Sequence, residues 1–87
     1  MNNYPNPFNP ETTIRFALPT TESVRIEIVN ILGQHVRTLV DNEIKAGVRE
    51  VKWNSRNDFG VSVSTGIYFY RIKAGSFIAI KKLTLIK

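Results

Sequence analysis

Few side chains in this sequence are able to do chemistry, and their spacing limits what that chemistry is. There is one histidine, His35, and no cysteine. An acid-base histidine needs a nucleophile beside it and a carboxylate to orient it. No such spacing surrounds His35, which opens a predicted strand and alternates outward with Arg37, so a solvated surface histidine is expected. The carboxylates, seven in all, stand as single outward strand residues or loop members. Asn54, Asn57 and Asp58 form the one oxygen-rich cluster. Calcium takes about six to eight oxygen ligands, only Asp58 of the three is charged, and Glu50 comes too early to complete an EF-hand loop. A capped turn with at most weak Ca²⁺ binding is expected there. There is no phosphate-binding glycine loop and no metal-ligand cluster of sequence-adjacent residues, so neither a cofactor nor catalysis is expected.

The charges are distributed unevenly. Residues 1–65 hold Arg15, Arg25, Arg37, Lys45, Arg49, Lys52 and Arg56 together with every acid of the chain, and they balance. The net charge of +5 therefore falls on Arg71, Lys73, Lys81, Lys82 and Lys87, in a stretch with no carboxylate. Such asymmetry points to a segment that meets something acidic. Next to Tyr68, Phe69 and Tyr70 these cations have the composition of a nucleic-acid surface, but the tyrosines are better used in a core and no nucleic-acid partner is expected. Lysines on a terminal strand also discourage edge-to-edge pairing of the apolar run 77–80.

These residues must be positioned by strands. Residues 12–18 alternate cleanly, with Ile14, Phe16 and Leu18 on one face, and residues 23–30 repeat the pattern with Val24, Ile26 and Ile28. Ile31-Leu32-Gly33-Gln34 turns the chain. Residues 34–40 form a third strand, residues 41–47 a polar loop, and residues 48–53 a fourth strand with Val51 and Trp53 on a common face. A brief pairing at Val61-Ser62-Val63 precedes the final hairpin, which turns at Ala74-Gly75-Ser76. On its first strand Tyr68, Tyr70 and Ile72 face inward. The spacing Gly66-x-Tyr68-x-Tyr70 matches the start of the sixth strand of immunoglobulin-like sandwiches, where a Tyr hydroxyl bonds back to nearby backbone.

About seven short strands at this spacing, without helical periodicity, predict an all-β, immunoglobulin-like antiparallel sandwich. At 87 residues the chain suits one domain, with residues 1–10 a proline-rich lead-in from a linker and residues 11–87 the sandwich. In the lead-in, Tyr4 and Phe8 are expected to pack against the sandwich edge. No apolar run is long enough to span a membrane, and the basic-then-apolar order of an export leader is missing, which places any leader upstream in a longer parent.

Four stretches carry a family resemblance: Tyr4-Pro5-Asn6-Pro7-Phe8-Asn9-Pro10-x-Thr12-x-Ile14-x-Phe16; Val29-Asn30-Ile31-Leu32-Gly33-Gln34; Gly66-Ile67-Tyr68-Phe69-Tyr70-Arg71-Ile72; and Lys81-Lys82-Leu83-Thr84-Leu85-Ile86-Lys87. Together, and in the right order, they resemble the C-terminal sorting domain of the type IX secretion system. Trp53-Asn54-x-Arg56-Asn57-Asp58-x-Gly60 is also similar to the related immunoglobulin-like domain of the flagellar hook-capping protein. The resemblance implies a non-catalytic domain at the C-terminus of a secreted or cell-surface enzyme or adhesin. It implies passage through the periplasm, reading by an outer-membrane translocon and removal by a cell-surface sortase, without membrane insertion. The recognition residues it implies are Gly33, Gly66, Tyr68, Arg71, Lys81, Lys82 and Lys87. The sequence departs from the family's pattern at Gln34, where a basic residue is common. The competing reading is a structural or ligand-binding sandwich, hook-cap-like or carbohydrate-binding.

Overall fold

Alternation with period two sets both what the chain pairs and what it buries. The structure is a computed structural model that describes residues 10–86. The lead-in aromatics Tyr4 and Phe8, and Lys87 at the other end, lie outside the described residues. Six strands follow in order: β1 Thr12–Leu18, β2 Glu22–Asn30, β3 His35–Ile44, β4 Gly47–Trp53, β5 Gly66–Ala74 and β6 Phe77–Leu85. β1 and β4 form a two-stranded sheet, and the others form a four-stranded sheet in the order β3-β2-β5-β6. Every pairing is antiparallel.

The two sheets enclose one core. β1 contributes Ile14 and Leu18, β2 contributes Val24, Ile26 and Ile28, β4 contributes Trp53, β5 contributes Tyr68, Ile72 and Ala74, and β6 contributes Leu85. Phe16, Val51 and Tyr70 pack half-buried around them. The alternating faces read from the sequence are therefore the faces found, and the tyrosine face of β5 points inward. Burial of each large side chain contributes about 1.5–3 kcal/mol, the principal support for a fold without cysteine.

Two expectations about strands are corrected. Residues 61–63 pair briefly, as expected, in an isolated bridge of Ser62 with Arg56 that adds no strand to either sheet. Val61 N–H donates to Asn57 Oδ1 and Val63 N–H to the Ser55 carbonyl, so the segment's amides go to the preceding loop and not to a ladder. Six strands stand where about seven were expected. The polar loop expected at 41–47 is also largely strand. β3 continues through Asp41 to Ile44 because Glu22 pairs with Ile44 and Arg25 with Asp41 across β2. Only residues 45 and 46 then connect β3 to β4 in the other sheet. β3 also carries two irregularities in its pairing with β2, between Ile26 and Glu27 and between Ile28 and Val29, and such bulges re-aim the side chains around them.

Turn chemistry closes the strands. At the β2–β3 turn the Asn30 Oδ1 accepts from the Leu32 and Gln34 amides, and Gly33 N–H donates to the Asn30 carbonyl at 2.9 Å. Gly33 has φ +81°, a left-handed conformation that disfavours any residue with a Cβ. Gln34, the point of departure from the resembling family, accepts at its Oε1 from Asn30 Nδ2 at 2.8 Å. At the start of β5 the Tyr68 hydroxyl donates to the Ser64 carbonyl at 2.6 Å.

Tyr68→Phe is expected to lose about 1 kcal/mol of stability, because the hydrogen bond from the buried tyrosine to the Ser64 carbonyl is removed. Tyr70→Phe should stay within about 0.5 kcal/mol, since the Tyr70 hydroxyl has no hydrogen bond among the described residues. Urea unfolding curves with unchanged slopes for the two variants check the difference.

Candidate functional site

The residues with chemistry collect on the outer face of the four-stranded sheet and along its β6 edge. On the outer face the register sets Glu27 of β2 opposite Arg71 of β5, Arg25 opposite Lys73, and Val29 opposite Phe69. Glu27 is only 7 % exposed. Its cover is a ring of cationic side chains, not core residues. Arg71 donates through Nε to Glu27 Oε1 at 3.0 Å and again through Nη2, and Arg25 lies within ion-pair reach of Oε2 at 3.9 Å. Arg25 in turn holds Asp41 at 3.1 Å.

His35 is the hinge of this network: it lies exposed at the surface, as expected, but both its ring nitrogens are engaged, which the sequence did not show. Its Nδ1 lies 2.8 Å from Glu27 Oε2, and its Nε2 lies 2.7 Å from Asp58 Oδ2. Both ring nitrogens face carboxylate oxygens, an arrangement that favours the doubly protonated ring. Thr38 Oγ1 stands 3.4 Å from Nε2, which outlines a hydroxyl–imidazole–carboxylate arrangement. With Nε2 committed to Asp58, however, no ring nitrogen is left to take a proton from that hydroxyl. The carboxylates expected to be scattered are thus partly gathered.

Each group's titration follows from these partners. His35 is raised above its ordinary value by the hydrogen bonds to Glu27 and then Asp58, against a smaller effect of burial. For Glu27 burial alone raises the carboxyl, but the hydrogen bonds from Arg71 and His35 and the charges of Arg71 and Arg25 together hold it below the ordinary range. Asp58 is lowered by the Thr38 amide and then by His35.

Asp58 also docks its own loop. Its N–H donates to the Val36 carbonyl at 3.1 Å, and its Oδ1 accepts from Thr38 N–H at 3.0 Å. Asn57 Oδ1 accepts from the Phe59 and Val61 amides. The oxygens of Asn57 and Asp58 that were candidates for calcium therefore have protein donors, in a self-capped turn. Asn54 Oδ1 is buried without a hydrogen-bond partner.

The residues implied as a recognition set separate into two kinds. Gly33 is a turn residue and Gly66 opens β5 with φ +148°. Tyr68 is buried against Trp53, ring centroids 5.4 Å apart and 70° between planes, and Arg71 is bound to Glu27. One of the five apparently uncompensated cations is thus compensated. Lys81 and Lys82 are different: both are exposed, neither has an ion pair among the described residues, and they sit on a strand paired only with β5. Lys81 stands opposite Tyr70 and Lys82 opposite Phe69, so Lys81 emerges on the inner face of the sheet and Lys82 on the outer. Lys87 lies outside the described residues.

A protein family described as "Secretion system C-terminal sorting domain" matches residues 2–87. No curated protein and no solved structure matches the chain.

The network has a signed dependence on pH. His35 lies above its ordinary 6.5, so its contribution is complete below that value and is lost as pH rises through the raised one. Glu27 and Asp58 lie below their ordinary 4.5 and 3.8, so theirs is complete above those values and is lost as pH falls through the lowered ones. Thermal melts from about pH 3 to about pH 9 should peak between the two limbs, and His35→Gln should flatten the alkaline limb. Glu27→Gln leaves Arg25, Arg71 and His35 clustered without their counter-ion and is expected to cost about 2 kcal/mol. Asp41→Asn, which removes an exposed ion pair, should cost no more than about 0.5 kcal/mol in the same urea titration.

Proposed function

The chain belongs to the family of type IX secretion C-terminal sorting domains, and from that premise we propose that it is the address of a secreted or cell-surface protein, read at β6. The reading makes the domain a non-catalytic module: an outer-membrane translocon recognises it in the periplasm, and a cell-surface sortase acts after passage. Family membership supports this over a hook-cap-like or carbohydrate-binding accessory module. We also take the sandwich to be immunoglobulin-like, supported by the Tyr68 hydroxyl bonded to the Ser64 carbonyl at the start of β5 and by the buried Trp53 beneath it.

One observation carries the placement at β6. Among the described residues it is an edge strand with one paired side, and on it stand two exposed lysines without an ion pair to any of those residues. An accessible edge adds to a receptor sheet through main-chain hydrogen bonds, and charges beside it set orientation. The remaining members of the implied recognition set act one step back, by holding the hairpin: Tyr68 through the core, Arg71 through Glu27, and Gly33 and Gly66 through the backbone.

The test fuses residues 1–87 to a periplasmic reporter in a host with an active type IX system. Lys81→Glu combined with Lys82→Glu is expected to leave stability within about 0.5 kcal/mol per site while secretion falls sharply. Normal export of this variant, with fold verified by circular dichroism, overturns the reading. Deleting residues 83–87 is a poorer experiment, because Leu85 is 2 % exposed and its removal opens the core.

A further inference from the structure

Resting on the reading of β6 as the address, we infer that its partner is an extended segment with two adjacent acidic residues beside an apolar run, added as a fifth strand to the four-stranded sheet. Neighbouring residues on a strand point to opposite faces, and cross-strand neighbours share a face. Lys81 and Lys82 emerge on opposite faces, so a strand that sets an acid directly opposite each carries two consecutive acids, one for each face. Acids separated by one residue share a face and leave one lysine unanswered.

The rest of β6 specifies the apolar part. Ile78 and Ile80 on the outer face are 58 % and 61 % exposed, and Phe77 on the inner face is 61 % exposed. The two-stranded sheet does not cover Phe77. Between Phe77, Leu18, Pro19 and Ala74, with Glu22 at its rim, a cavity of about 350 Å³ opens beside the strand, room for an apolar side chain of the added segment and, because of that carboxylate, not for one of its acids. Beyond the lysines the apolar character resumes on the inner face with Leu83, half-buried, and Leu85, buried.

The chain itself does not supply the pair, because no two of its seven acids, Glu11, Glu22, Glu27, Asp41, Glu43, Glu50 and Asp58, are adjacent in the sequence; Glu27, Asp41, Glu50 and Asp58 are moreover engaged by cations of their own sheets and loop. A second copy pairing through its own β6 does not supply them either, because residues 66–87 contain no carboxylate. The occupant is therefore another protein's strand, matched by charge.

Three synthetic ten-residue peptides of alternating apolar and polar residues test this on the 87-residue domain by calorimetric titration: one with adjacent glutamates, one with the same glutamates separated by one residue, one with adjacent lysines. The native domain should bind the adjacent-glutamate peptide roughly tenfold more tightly than the other two. The variant Lys81→Glu with Lys82→Glu should reverse the preference toward the lysine peptide. Amide hydrogen exchange should slow along β6 on binding. Equal affinity for the peptides, slowed exchange elsewhere than β6, no binding up to millimolar peptide, or self-association through β6 each overturns the inference. If secretion of the reporter still depends on Lys81 and Lys82 in any of those cases, the address reading survives and the acidic-pair partner does not.

Discussion

Trp53 is where the two sheets become one structure. It ends β4 of the small sheet with no exposed surface, and its ring meets the edge of Tyr68 from the large sheet. Its indole N–H donates to the Arg56 carbonyl at 2.9 Å, which satisfies the polar end of a buried ring and fixes the start of the next loop. Ser55, between them, adopts φ +65° and gives its hydroxyl to the Pro10 carbonyl. One turn after β4 thus secures the inter-sheet contact, the loop and the entry of the chain together. With no cross-link to restrict the unfolded chain, the domain relies on this meeting point for the relative placement of its layers.

On the opposite side of the large sheet the organising element is a buried carboxylate. Glu27 draws Arg71 from β5, Arg25 from β2 and His35 from β3 to one point, and His35 passes the connection on to Asp58 in the 54–60 loop. An ion pair stripped of water is worth little in itself, but a carboxylate satisfied by several donors fixes the relation of three strands and a loop. The arrangement also commits Glu27, the acid opposite Arg71 on the basic hairpin, to partners away from β6.

Much of the frame was legible in the residues. β1, β2 and β5 alternate without interruption, and their inner faces were readable from Ile14, Val24, Ile26, Ile28, Tyr68 and Ile72. β3 was not readable to its end, because its bulges break the alternation around Val36 and Leu39 and because Asp41, Asn42 and Glu43 look like a loop when they face water on an edge strand. The charge network was invisible for a different reason. Glu27 and Arg71 are 44 residues apart, and Asp58 lies in a turn. Only the strand register and the loop bring the carboxylates onto His35, so a surface histidine is also shared between two acids. Lys81 and Lys82 could be singled out from charge asymmetry alone, but their emergence on opposite faces depends on the hairpin register.

The two edges of the large sheet are finished differently. Along β3 the free side is occupied by the 54–60 loop, which takes the Val36 carbonyl and the Thr38 amide, and the strand is bent by two irregularities. Along β6 nothing comparable covers the strand among the described residues. A sheet with one sealed and one open border can lengthen by a single strand and then stops, since propagation into a filament requires two open borders on every unit. The four-stranded sheet thus offers a single border to an added strand, and copies of the domain are not chained head to tail through that sheet.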